Sequence, residues 1–183
     1  MIPDERQALS LHEKYGSSDR IVKHCQTVTR VSVILSDALA ARGKAIDGKA
    51  TLAGALLHDI GRTRTQTIEH GFVGASLLEQ EGVDGIVVEI VRRHVGAGIS
   101  KEEAASLGFP EGDYVPRTLE QKVMCFSDKM VSSDAVRPFE EEVKRFIRKG
   151  HDVQRLLTLK KSLEDDLGED PEKVALIKAS KPD

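Results

Sequence analysis

Apolar residues recur at helical spacing through almost the whole of this chain, and four histidines fall on the faces that this spacing turns inward. Such a chain buries its apolar stripes by packing helix on helix, and an imidazole carried into that interior is costly unless something binds it. Strand signals are nearly absent. The spacing of Ile21, Val28, Val31, Leu35 and Leu39 predicts a helix over about 18–42, stopped by Gly43. A second, over 47–59, is apolar almost all round and therefore central, and Ile60-Gly61-Arg62-Thr63 breaks it. Further helices are predicted over 69–80 and 84–95, ended by Gly82 and Gly96, with a short one between loops in 98–116. Thr118 opens a fifth core helix reaching about 132, with Gln121 completing a capping-box pattern. Charged amphipathic helices follow from Pro138, over 152–167 and over 171–179. The expected architecture is all-α, one domain over 1–183, with a core of about 18–132 and a charged C-terminal helical extension of about 138–180.

Aromatic residues make up only 4% of the chain and tryptophan is missing, so the core must be built from aliphatic side chains. A net charge of −3 argues against a general nucleic-acid binder. Cys25 and Cys125 form no CxxC pair, which points to a reducing cytoplasm, and both are expected as buried, small apolar fillers. The polar, acidic N-terminus is unlike a signal peptide, and no apolar run approaches the ~20 residues needed to span a bilayer. A soluble cytoplasmic protein with no membrane contact is expected.

Helical phase picks out the polar residues that face inward. His94 falls on the face defined by Ile86, Val87, Ile90 and Val91. His70 shares a face with Val73, Gly74 and Leu77, where Gly74 would admit a neighbouring backbone. His24 lies one turn from Ile21 and Val28, and His58-Asp59 ends the most apolar helix. Asp128 lies opposite the stripe of Leu119, Val123, Phe126 and Met130 but is flanked by Met124, Cys125 and Val131, so its helix reads as sandwiched and its carboxylate as buried. A single inward histidine is ordinarily a hydrogen-bonded core residue. Four of them with two aspartates favour a transition-metal site, because otherwise each needs a separate buried partner. His151-Asp152 lies in a charged stretch where Asp152 would cap a helix, and no chemistry is assigned to it. His12 lies in a polar segment and is expected to be solvated.

His24, then His58-Asp59-Ile60-Gly61, then Asp128 resembles the H…HD…D signature of the HD superfamily of metal-dependent phosphohydrolases, in its HDIG form. The resemblance covers about residues 20–132 and implies an HD-type helical bundle. It further implies that His24, His58, Asp59 and Asp128 hold one metal and that Asp59 bridges to a second held by His70 and His94, as in the binuclear subgroup. That subgroup includes cyclic-dinucleotide phosphodiesterases, small diadenosine tetraphosphate hydrolases and a few di-iron oxygenases; the GYP motif of one phosphodiesterase branch is missing here. Imidazole and carboxylate donors suit one or two ions of Mn, Fe, Co or Ni, and the lack of thiolates argues against a structural zinc cage. The implied reaction is attack of a metal-activated water on a phosphoester or phosphoanhydride of a small, anionic, nucleotide-like substrate, with Asp59 and Arg62 as catalytic residues. Arg62, Arg64, Arg93 and Lys129 are candidates for phosphate contact, the last three more simply read as solvated surface charge. Few aromatics (Phe72, Phe109, Tyr114 and Phe126) lie near enough to stack a base. A di-iron oxygenase and a non-catalytic metal-binding regulatory module are the alternatives.

Overall fold

Local capping signals set most of the helix boundaries. The computed structural model describes the backbone of residues 1–179 and the side chains of 1–177. Helix α1 (Glu5–Tyr15), which the apolar spacing does not predict, starts in a reciprocal capping box between Asp4 and Gln7 and stops at Gly16, held left-handed at φ 71°. Helix α2 (Asp19–Ala41) is capped by the Ser18 hydroxyl and buries Val28, Val31, Leu35 and Leu39. Helix α3 (Gly48–Leu57) begins where the Asp47 carboxylate accepts the Lys49 and Ala50 amides. A 3-10 turn (Ile60–Thr63), α4 (His70–Gln80), α5 (Gly85–Arg92), the short α6 (Lys101–Ser106) and α7 (Leu119–Lys129) follow, with the Thr118–Gln121 capping box formed as its spacing predicts.

Helix α3 is the axis of the bundle. Ala50, Ala53, Ala55, Leu56 and Leu57 are all buried, with α1, α2, α5 and α7 packed around them. Each fully buried leucine of this kind contributes roughly 1.5–3 kcal/mol relative to an exposed one. Gly54 lets α5 come close: a Cβ there would lie 2.5 Å from Ile90 Cγ2. Helix α1 seals one end of α3 through His12, which is 1% exposed and not solvated as its polar neighbourhood suggests. Its Nε2 lies 2.7 Å from the Leu56 carbonyl and its Nδ1 2.7 Å from the Ser17 hydroxyl.

Helix α7 ends at Lys129, short of 132, because Val131–Ser132 (β1) pairs antiparallel with Ala135–Val136 (β2). The turn of this hairpin holds Ser133 at φ 58°, and it docks on α2, where Thr27 Oγ1 donates to the Asp134 carbonyl. Among the described residues three more helices follow: α8 (Phe139–Arg148), α9 (Gln154–Leu167) and α10 (Pro171–Ala179). They carry their charges outward, while Leu156, Leu163, Leu167 and Ala175 enter the same core as α2 and α7. Asp152 accepts the Gln154 amide just ahead of α9, but the N-cap position is Val153 and not Asp152 as its sequence suggests. No helix among the described residues is long and apolar enough to cross a membrane.

Candidate metal centre

Helix ends bring four of the six histidines together. His58 terminates α3, His70 opens α4, and His24 lies in the second turn of α2. His94 lies beyond the end of its helix: α5 stops at Arg92 with Arg93 as its cap, so the ring is placed by the following loop and not by helical phase. The HDIG turn is closed by contact between two glycines, since a Cβ on Gly61 would lie 2.6 Å from the Gly74 amide nitrogen and 2.0 Å from the His70 carbonyl oxygen. Gly74 does admit a neighbouring backbone, and that backbone is the turn itself.

All four rings are held in the same way. Nδ1 lies 2.7 Å from a backbone carbonyl in each: Ser133 for His24, Ala55 for His58, Thr67 for His70 and Val91 for His94. A carbonyl only accepts, so each Nδ1 carries the proton and each neutral ring turns the bare lone pair of Nε2 inward. The Nε2 atoms of His70 and His94 then face each other at 2.9 Å. Asp59 Oδ1 lies 3.3 Å from the first and 3.6 Å from the second. Across the site, Asp128 Oδ1 lies 3.1 Å from His24 Nε2 and 3.6 Å from His58 Nε2. Ligand atoms of His24, His58 and Asp59 form one set within 4.8 Å of one another, and those of Asp59, His70 and His94 form another. Asp59 belongs to both.

His58 is fully buried, and His94, His70 and Asp59 nearly so. Among the described residues His58 Nε2 and Asp59 Oδ1 have no hydrogen-bond partner, an expensive arrangement in an interior. Burial and the neighbouring His94 push the His70 imidazole down to about 3, and burial lowers His94 as well, so at neutral pH two lone pairs oppose each other. Burial also disfavours charge on His58, but Cys25, Asp59 and Asp128 outweigh it and raise that ring well above the ordinary imidazole range. Burial works against ionisation of Asp59 and Asp128 too, yet His58 and His94 hold Asp59 low, and Lys129, His24 and His58 hold Asp128 low. The interior therefore favours positive charge between the carboxylates and the Nε2 atoms. Divalent ions fit this donor set: nitrogen and carboxylate oxygen, two buried orphan atoms and a carboxylate shared by both halves.

The basic residues divide differently from their expected roles. Arg62 donates from Nε to Asp59 Oδ2 at 2.7 Å, and its Nη2 lies 3.2 Å from His70 Nε2, so its guanidinium sits on the ligand set itself. Lys129 is not solvated: it is 8% exposed and its Nζ binds Asp128 Oδ2. Arg93 is engaged by Glu89 and by the Asp113 and Val115 carbonyls, which it fastens beside α5. Arg64 is exposed and lies over the Tyr15 ring. The aromatics near the site are packed against protein: Phe126 stacks on Phe139, Tyr114 donates its hydroxyl to the Pro110 carbonyl and meets Phe109, and Phe72 lies under Arg92. Both cysteines are buried free thiols. Cys125 donates to the His94 and Gly96 carbonyls, helping to hold the loop that carries His94, and burial pushes its thiol up to about 12. Cys25 packs into the hydrophobic core, and beside it His58 and His12 work against the effect of burial and draw its thiol down to about 7. Sequence reasoning did not anticipate the Ser133 carbonyl that orients His24; a two-residue turn gives no helical-phase signal.

The sequence profile of the HD domain matches residues 21–132. Two curated relatives are tRNA (cytidine(56)-2′-O)-methyltransferases. That of Thermoplasma volcanium is 40% identical over 95% of this chain and 51% of its own length, and that of Picrophilus torridus 39% identical over 92% and 49%. The chain thus spans about half the length of these two relatives. An uncharacterised protein of Methanocaldococcus jannaschii is 39% identical over 78% of this chain and 86% of its own. Among solved structures, the HD domain of the Listeria monocytogenes phosphodiesterase PgpH in complex with cyclic-di-AMP superposes with a TM-score of 0.58, at 14% identity, over 94% of this chain and 98% of that one. At that identity the likeness is one of fold.

Proposed function

The chain belongs to the HD domain family, and we propose that it is a metal-dependent phosphohydrolase acting on a nucleotide or related phosphoester or phosphoanhydride. The observation that carries this reading is the convergence of four Nε2 lone pairs, each fixed by an Nδ1–carbonyl bond, on two carboxylates that keep Asp59 Oδ1 and His58 Nε2 without partners. His24, His58, Asp59 and Asp128 would hold one ion, and Asp59, His70 and His94 a second. Bound divalent ions would acidify a coordinated water and stabilise charge on phosphoryl oxygens.

The chain's own residues would do the rest. Backbone carbonyls orient the imidazoles, so the site is ordered before substrate arrives. An imidazole that binds an ion through Nε2 does so in its neutral form, which would leave the charge of the ions in excess of two carboxylates and favour an anionic substrate. His24 and Asp128 are each 16% exposed at the side chain and Arg62 30%, which makes them the rim through which a phosphoester would approach. The PgpH neighbour, crystallised with a cyclic dinucleotide, supports a nucleotide substrate.

A second reading comes from the methyltransferase relatives: the phosphoester would belong to tRNA or to a product of its processing. The acidic balance of this chain argues against broad affinity for RNA and for recognition at one phosphate. Chelator-treated protein reconstituted with Mn, Co, Ni or Fe should release product from a panel of mononucleotides, linear and cyclic dinucleotides, cyclic phosphates and tRNA fragments. Asp59→Asn should abolish that release. Hydrolysis of nothing in the panel by fully loaded protein, with oxygen consumed by the iron form, would replace the hydrolase by an oxygenase.

A further inference from the structure

We propose that Arg62 and the ion at the His70–His94 position compete for the same atoms, so that Arg62 sets how readily the centre takes its second metal. This rests on the metal-centre reading above and concerns its filling.

His70 Nδ1 is committed to the Thr67 carbonyl, which leaves Nε2 with a single lone pair. Arg62 Nη2 donates to that lone pair at 3.2 Å while Arg62 Nε holds Asp59 Oδ2 at 2.7 Å. A metal bound by His70 needs the same lone pair, and a bridge made through both oxygens of Asp59 would take Oδ2 from Arg62 as well. One nitrogen lone pair cannot serve a guanidinium and a metal together. Two cations in so small a volume also repel each other.

The other half of the centre is arranged differently. Lys129 binds Asp128 Oδ2, and Asp128 Oδ1 is the oxygen that faces His24 and His58. Its ammonium reaches no imidazole nitrogen in the hydrogen-bond network, so Lys129 orients its carboxylate without covering the donor atoms. At the first position His24 Nε2 and Asp128 Oδ1 face each other at 3.1 Å with no guanidinium or ammonium on an imidazole nitrogen, whereas at the second an ion must displace an arginine from His70. Arg62 has room to leave, because its side chain is nearly a third exposed. The expected consequence is stepwise filling: a first ion binds tightly and a second binds with its affinity reduced by the fraction of time Arg62 spends on His70.

Calorimetric titration of chelator-stripped protein with Mn²⁺ tests this without reference to turnover. In Arg62→Gln the second dissociation constant should tighten by roughly tenfold or more, the size expected when a competing state is removed, and by more than the first, whose donor set shares only the Asp59 carboxylate with Arg62. Arg62→Lys should lie between, since an ammonium cannot span both atoms in one planar fork. Arg64→Gln, which removes the same charge two residues away from a side chain lying over Tyr15, should behave as wild type. A second constant unchanged or weakened in Arg62→Gln, or tightened equally in Arg64→Gln, would overturn the competition and leave the metal centre standing. If none of the proteins binds an ion, the metal-centre reading falls and the competition falls with it.

Discussion

Alanine at Gly61 puts the geometry of the HDIG turn to a quantitative test. The added Cβ would lie 2.0 Å from the His70 carbonyl oxygen, 2.6 Å from the Gly74 nitrogen and 2.9 Å from the His70 carbonyl carbon. All three atoms are backbone, in the first turns of α4, so no side-chain rotation relieves the contact and the turn and helix must separate by well over an ångström. Overpacking a core costs about 1–3 kcal/mol where side chains can adjust. Backbone neighbours place Gly61→Ala at the upper end, about 3 kcal/mol, or a fall in Tm of roughly 6–12 °C for a chain of this size. Two other glycines calibrate the scale. Gly74→Ala meets neighbours at 3.1–3.4 Å, and the gain of about 1 kcal/mol in helix propensity offsets most of that crowding. Gly85→Ala meets nothing within 4 Å and should be neutral or stabilising by up to about 1 kcal/mol. Urea and thermal unfolding rank the three, and metal analysis adds an independent readout, because moving α4 carries His70 away from Asp59. A Gly61→Ala protein that melts within about 2 °C of wild type and still binds as many ions would refute the argument that this contact holds the centre together.

Three further outcomes follow from the site. Elemental analysis of the reconstituted protein should find one to two transition-metal ions per chain, with Asp59→Asn lowering occupancy at both positions; no ion in wild type would refute the centre. Asp128→Asn strands the buried Lys129 ammonium and should cost about 3–5 kcal/mol in chelator-treated protein, and a second change, Lys129→Met, should recover much of that loss; a double variant no more stable than Asp128→Asn would show that the pair is not coupled. The carboxyls of Asp59 and Asp128 are held below their ordinary value of 3.8, so each contributes stability that is complete above that value and lost as pH falls through the folded-state range. Chelator-treated protein should therefore lose stability steadily in acid, and equilibrium unfolding of Asp128→Asn should show a shallower pH slope than wild type; equal slopes would contradict the assignment.

The elements legible in this sequence are those with local causes. Ser18, Asp47 and Thr118 cap the helices that follow them because a short oxygen side chain reaches amides only two or three residues away. Apolar spacing marks α2, α3, α4 and α7 because the stripe a helix buries is written in its own residues. The same kind of signal was present for α1 in the Asp4–Gln7 capping box, masked by a polar segment with little apolar stripe. Tertiary packing decided what spacing could not encode. His12 is buried because α1 folds back onto Leu56, 44 residues on, and His94 is aimed by a loop after its helix has ended. His24 meets Asp128 across 104 residues and is oriented by a carbonyl in a hairpin turn. Arg62 and Lys129, both plausible as free cations in a linear reading, are each spent on an aspartate. Side-chain chemistry names the groups able to bind a metal or a phosphate, but whether a charge is free or paired depends on which distant groups burial brings beside it, and that is a property of the packed interior.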